Sequence, residues 1–436
     1  MLWASQGLVP LAVLIYGGAR LLRNTPQSKL LWPAMIACTL WLLVVALPLR
    51  SPRGRRRLVD MRLKLLSLAL ALGLCSLVGE VMVRALCRRD ADGNYFYRRV
   101  RLLPYRTPVE DRRKHIETYL RSGSRNWDPQ LGWRHEQPIR TGKQPKVYAK
   151  RPAPGVLRVC ILGDSFTYGA EVAYEDSWGY VLQESLRRRG TQVEVLNFGV
   201  GAYGMDQAYL RWEAEASQYS PALVIFGILP VAMVRRNGDM LRINRPMEGI
   251  PFTKPRFVED GDGLRVVNQP TLPPERILGV MENLSDWPLM RYEFFHDAED
   301  YERRFYHASK LITLAVQAFQ GKHRHEATLE RELALHGLSL RITRAFRDSV
   351  EATGADFVVV HFPDKRSLLA VRRGKPMVHA AFLERVAAEF RYIDTTAALS
   401  RAGEATSLDA LFAPGGHYGP AGNRVAASVI EKEVLR

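Results

Sequence analysis

Apolar positions are distributed unevenly along the chain. Residues 2–19 and 30–49 contain no charged side chain, and residues 65–83 contain only Glu80. Each run approaches the roughly 20 apolar residues that a helix needs to cross about 30 Å of hydrocarbon. The pattern therefore predicts three transmembrane helices within residues 1–89. The first run has no basic segment before it and two more apolar runs after it, so it does not read as a cleaved signal peptide.

Beyond residue 150 the periodicity changes. Residues 156–162, VLRVCIL, form a continuous apolar run suited to a strand buried on both faces. An amphipathic helix is predicted over 175–189, a second strand over 193–198 and a second helix over 206–219. Further apolar strands fall at 222–228 and 357–361, with a short one at 391–393. A closing helix spans 420–435, with proline near its first turn, where the missing N–H is tolerated. Strands alternating with helices predict an α/β fold, a three-layer α/β/α sandwich around a parallel sheet.

Residues 237–348 interrupt this rhythm. Within them, PRFVEDGDGLRVVNQP places two β-prone runs around an acidic, glycine-containing turn, the pattern of a hairpin. The stretch reads as an insertion of a hairpin and helices that wall the active site. The expected organisation is thus a transmembrane region over 1–89, a linker and lead-in over 90–150, and the sandwich over 151–436.

A length of 436 residues exceeds what one hydrophobic core usually serves, which agrees with that division. The 62 Lys and Arg residues against 45 Asp and Glu leave a net charge of +17. They are scattered and accompany no zinc-finger, RRM or Walker pattern, so nucleic acid is not an expected partner. Next to a bilayer the same charge attracts anionic headgroups. Arg50, Arg53, Arg55, Arg56, Arg57, Arg62 and Lys64 lie between the second and third apolar runs and outnumber Arg20, Arg23 and Lys29. The positive-inside rule then puts that loop in the cytoplasm and everything after the third run outside it, with Arg84, Arg88 and Arg89 opposing. Glu80 and Arg84, four apart on one helical face, are expected to pair. Cys38, Cys75, Cys87 and Cys160 show no CxxC spacing and read as isolated small side chains, neither a disulfide framework nor a zinc site.

In a parallel α/β sheet, ligands bind beyond the carboxyl ends of the strands, and Ser165 lies at one such end. The segment VCILGDSFTYG, residues 159–169, resembles the first block of the GDSL/SGNH family of serine hydrolases and acyltransferases. LNFGVGAYGMDQAYL at 196–210 looks like that family's second block, and GGHYGPAGNRVAA at 415–427 its last. DPQLGWR at 128–134 is similar to a lead-in of membrane-associated bacterial members. The resemblance implies Ser165 as nucleophile and His417 as its base. It also implies oxyanion donors from the backbone N–H groups of Ser165 and of Gly201 or Ala202, with Gly163 and Asp164 in supporting places. Neither a metal nor an organic cofactor is implied.

The chain departs from the family pattern in three respects: Ala202 stands where many relatives carry the oxyanion glycine, with Gly201 just before it, although only a backbone N–H is required there, and two further departures bear on mechanism. After LVIFGILP, where relatives carry an asparagine, Val231 and Ala232 follow Pro230. Two or three residues before the histidine, where relatives carry an aspartate, stand Gly415 and Pro414. A backbone carbonyl, Asp409 or Asp394 is the expected substitute for orienting His417, and Asn237 is a candidate for the oxyanion pocket at a shifted offset. Elsewhere, His323 and His325 read as part of a solvated basic helix, Asp364 as a strand-end turn residue, and Trp178, Tyr203 and Trp212 as packing residues.

The leading expectation is an integral protein of a bacterial inner or plasma membrane with an extracytoplasmic serine esterase or O-acyltransferase domain. Its partners are the lipid bilayer and an acylated glycan or lipid substrate of the cell envelope. The alternative is a catalytically impaired domain that binds glycan or assembles with a membrane biosynthetic enzyme. A third reading treats the spans as a lipid-interacting scaffold.

Overall fold

A computed structural model describes residues 52–434, apart from 90–94, 98–99, 103–108, 124, 144–145, 242–250, 283 and 296–304. The first two apolar runs, 2–19 and 30–49, lie outside the described residues. The third lies on helix α1, Pro52–Leu86. Within α1 the apolar stretch Leu63–Leu86 has 24 residues, about 36 Å at 1.5 Å per residue, enough to cross the hydrocarbon layer. Leu66, Leu70, Leu74 and Leu77 along it are exposed among the described residues. Among the described residues it is the one helix long and apolar enough to span a membrane. The basic stretch before it, expected as a loop, is instead the start of α1. Pro52 is tolerated in the first turn, and Arg, Leu, Met and Lys are good helix formers, so nothing there ends the helix. Arg84 pairs with Glu80 at 2.6 Å. Glu80 also accepts hydrogen bonds from Ser309, Lys310 and Leu311, which group with this unit.

The second unit is built on five strands: β1 Leu157–Gly163, β2 Val193–Asn197, β3 Leu223–Ile228, β4 Asp356–His361 and β5 Tyr392–Asp394. Their order across the sheet is β5-β4-β3-β1-β2, and every pairing is parallel. All of β3 is buried, as a continuous apolar run requires when helices cover both faces. The chain leaves β1 toward one edge and returns past it to reach β3. Right-handed crossovers in opposite directions put their helices on opposite faces.

The main helices are α2 Ser165–Tyr168, α3 Trp178–Arg188, α4 Met205–Ala214, α5 Pro230–Arg236, α6 His336–Glu351 and α7 Pro420–Val434. α3 packs with α7, and α4 with α6. α6 overlaps the end of the segment read as an insertion, yet it also packs on β4 and is part of the β3-to-β4 crossover. The expected hairpin forms from Arg256–Asp260 and Gly263–Val267, closed where Asp260 faces Gly263. It packs on α4 and α6, where Phe257 stacks on Tyr209 with centroids 5.6 Å apart. The reversal of strand order falls between β1 and β3, and the carboxyl ends of these strands carry the groups described next.

Candidate active site

β1 ends at Gly163, and only glycine fits there. A Cβ would lie 2.3 Å from Thr167 Oγ1 and 2.5 Å from the Gly227 carbonyl. The tight turn that follows makes Asp164 the N-cap of α2, accepting from the Phe166 N–H at 3.0 Å. Its other oxygen pairs with Arg236 at 3.1 Å, and Arg236 also donates to the Tyr203 carbonyl. Burial pushes the Asp164 carboxyl up, against the pull of Arg236.

Ser165 is the first residue of α2, so its N–H has no acceptor within the helix. Its Oγ lies 2.9 Å from His417 Nε2, which closes a gap of 252 residues. His417 sits in a turn pinned by its own carbonyl accepting from Ala413 at 2.8 Å and by Gly419 donating to Leu411 at 2.9 Å. Tyr418 anchors the turn through its hydroxyl to the Pro363 carbonyl, and Phe166 packs against the rings of both His417 and Tyr418.

The partner of His417 Nδ1 is Glu171, at 2.6 Å. Glu171 follows α2 in a loop, with a left-handed φ of 66°, and it also accepts from the backbone N–H groups of Gly415 at 2.6 Å and His417 at 3.2 Å. Burial works against the ionised form, but the hydrogen bonds from the His417 turn outweigh it and hold the carboxyl below its usual range. A carboxylate only accepts, so Nδ1 carries the ring proton and Nε2 offers its lone pair to the Ser165 hydroxyl.

This replaces the expected substitutes. Asp394 is engaged by His361 at 3.1 Å and by Thr396, and Asp409 by Lys365. No backbone carbonyl takes the place of the acid either, because Nδ1 faces Glu171. The one signal for Glu171 in the sequence is an acid two residues after the glycine of GDSFTYG, which carries no meaning until the loop is placed.

The second-block loop carries Gly201 and Ala202. Ala202 has a left-handed φ of 63°, a conformation that favours glycine and so accounts for the glycine the resemblance expects there. The carbonyl of Gly201 accepts from Trp133 Nε1 at 3.0 Å. In a trans peptide the N–H points opposite to the C=O, so this bond also sets the direction of the Ala202 N–H. Trp133 is held in turn: Tyr203 donates to its carbonyl at 2.5 Å, and Gln207 donates to Leu131 at 2.7 Å. The lead-in DPQLGWR is therefore a bracket for the second-block loop, folded as a hairpin pairing Trp127–Asp128 with Gly132–Trp133. Asp128 caps its turn by accepting from Gln130 and Leu131, both at 2.9 Å. Asn237 is not an oxyanion donor. It is buried, accepts from Met205 and Asp206 at the start of α4, and donates to Ser339.

No family model matches the chain, and no curated protein does. Solved structures similar to it include a member of the lipolytic protein G-D-S-L family from Veillonella parvula DSM 2008, 13% identical over 64% of this chain and 99% of its own, with a TM-score of 0.31. A variant of Axe2, an acetyl xylan esterase from Geobacillus stearothermophilus, is 12% identical over 66% of this chain and 97% of its own, with a TM-score of 0.34. TesA is 12% identical over 64% of this chain and 98% of its own, with a TM-score of 0.31. Similarities this distant assign no chemistry, which rests on the distances within this chain.

Trp178, Tyr203, Trp212 and Asp364 are structural. Trp178, Tyr203 and Trp212 are fully buried, and Asp364 caps the helix Lys365–Arg372 by accepting from Ser367 at 2.8 Å. His323 and His325 fall on the helix Lys310–Ala334. Cys75, Cys87 and Cys160 are free thiols among the described residues, and burial pushes the Cys160 thiol up, away from reactivity.

Proposed function

We propose that this chain is a membrane-anchored serine esterase or O-acyltransferase that works through an acyl-enzyme. The hydrogen-bond relay from Ser165 Oγ to His417 Nε2 at 2.9 Å, and from His417 Nδ1 to Glu171 at 2.6 Å, carries the proposal. Ser165 Oγ attacks an ester carbonyl while its proton passes to His417 Nε2. The N–H groups of Ser165 and Ala202 stabilise the oxyanion, with Gly201 forming the other half of the Ala202 peptide. The leaving alkoxide takes the proton from His417 as the C–O bond breaks. A water or an acceptor hydroxyl then gives its proton to His417 and attacks the acyl group, and His417 returns that proton to Ser165 Oγ as the acyl–oxygen bond breaks. The difference between hydrolase and transferase is the second nucleophile.

Envelope glycans or lipids bearing acyl esters are the proposed substrate class. A domain tethered by the α1 span works beside the membrane surface, and the charge asymmetry around that span favours the extracytoplasmic side. A catalytically impaired glycan-binding or assembly role is the second reading. It is favoured by the missing side-chain oxyanion donor, since Val231 and Ala232 occupy the asparagine region and Asn237 is engaged in capping α4. Loss of one such donor costs about 10²- to 10³-fold in rate. Fluorophosphonate labelling of the detergent-solubilised chain separates the two. Labelling that disappears in Ser165→Ala supports the acyl-enzyme, and a folded, accessible chain that does not label supports the binding role.

A further inference from the structure

Glu171 is a non-glycine residue in a left-handed conformation on a loop, and such a conformation persists only where surrounding structure enforces it. The side chain of Arg140 holds the backbone on both sides of Glu171. One guanidinium nitrogen donates to the carbonyls of Tyr168 and Gly169, the latter at 2.7 Å, and the other donates to the carbonyl of Val172 at 2.8 Å. The acceptors flank Glu171 on both sides in the chain. The guanidinium also lies over the Tyr168 ring at 4.2 Å, and His135 stacks on that ring at 4.3 Å.

Arg140 is fixed at its own backbone. Its N–H donates to Asn197 at the end of β2 at 2.9 Å, and the Asn197 amide donates to Thr167 in α2 at 2.9 Å. Gly169 completes the fit. Its φ is 76°, and a Cβ there would sit 2.7 Å from the Arg140 guanidinium and 2.7 Å from Ser177. Three carbonyls set around a flat fork match a guanidinium, whereas the point charge of a lysine ammonium cannot reach them together.

We propose that Arg140 is a positioning residue for the active site, whose guanidinium sets the loop that presents the Glu171 carboxylate to His417. The inference rests on the Ser165–His417–Glu171 reading and extends it to the lead-in segment, which then brackets the site on two sides: Trp133 at the second-block loop and Arg140 at the acid.

The test measures the fluorophosphonate labelling rate of the full chain in detergent as a function of pH. Wild type is compared with Arg140→Ala, Arg140→Lys, Glu171→Gln and the Arg140→Ala/Glu171→Gln double variant, each checked for folding by thermal melt. Arg140→Ala is expected to slow labelling roughly 10- to 100-fold, the scale of a small misplacement of a catalytic group, with Arg140→Lys between it and wild type. Displacing the carboxylate and removing it act on the same linkage, so the pH profile of Arg140→Ala is expected to match that of Glu171→Gln and to differ from that of wild type. The double variant should be no slower than Glu171→Gln alone, because both changes break one linkage. Wild-type rates and an unchanged pH profile in the Arg140 variants would overturn the inference while leaving the serine-esterase reading intact. A double variant that loses the product of both single effects would also overturn it. If wild type itself does not label at Ser165, the esterase reading fails and the inference fails with it. Should Arg140→Ala not fold, Arg140→Lys decides by the same criteria.

Discussion

A Cβ on Gly415 would lie 2.5 Å from Glu171 Oε1, the same oxygen that accepts the Gly415 N–H at 2.6 Å. Gly415 is one of the two positions at which the family resemblance expects the acid that orients His417. Any side chain there would collide with the Glu171 carboxylate. On the proposed reading, Glu171, in the loop after α2, takes the role that the resemblance expects of an acid at Gly415 or Pro414.

Glu171→Gln keeps the shape of the side chain but removes its charge and its ability to fix the His417 tautomer. Turnover of a chromogenic ester should fall about 10⁴-fold, as when the acid is removed from other serine triads. Gly415→Asp alone should also impair turnover. In a Glu171→Ala background the same substitution should recover part of the loss, because the clash is gone and an acid again stands beside the ring. Absence of any recovery would count against Glu171 in that role.

The low pKa of Glu171 links this residue to acid stability. Its folded-state value lies below the ordinary 4.5, so the stabilisation is complete above the unfolded value and is lost as pH falls through the folded one. Thermal melts of wild type and Glu171→Gln should differ at neutral pH, and the gap should close as pH is lowered from about 4.5. A gap that persists unchanged through that window would show that ionisation of Glu171 is not what the variant removes.

Trp133→Phe keeps most of the ring contact with Tyr203, whose centroid lies 5.7 Å away, but deletes the indole N–H that holds the Gly201 carbonyl. The peptide carrying the Ala202 N–H is then free to rotate. A roughly tenfold fall in kcat is expected, smaller than outright loss of an oxyanion donor, with little change in KM. A change confined to KM would assign Trp133 to substrate binding.

Topology is open to a direct test. With α1 leading outward, a reporter fused after Arg436 that functions only outside the cytoplasm should be active. Activity of a strictly cytoplasmic reporter at the same position would reverse the orientation and remove envelope substrates from consideration.

Much of this protein was legible from local pattern. Continuous apolar runs marked β1, β3 and β4 because strands buried on both faces have no polar side to show. Ser165 could be placed at a strand end, whereas Gly163, Asp164 and His417 were marked only by the resemblance of their segments to blocks of the GDSL/SGNH family. The sequence also marked the apolar stretch of α1, although not that the basic residues before it continue the same helix, since Arg and Lys suit helices and loops alike. Tertiary structure alone decided which acid serves His417 and which asparagine does not serve the oxyanion. Glu171 and His417 are 246 residues apart, whereas Asp394 and Asp409 lie far closer to His417 in the chain, and Asn237 faces the start of α4. The physical reason is that hydrogen bonds between side chains depend on distances of about 3 Å, and those are set by how the sheet gathers its strand ends, a property that no spacing along one chain records.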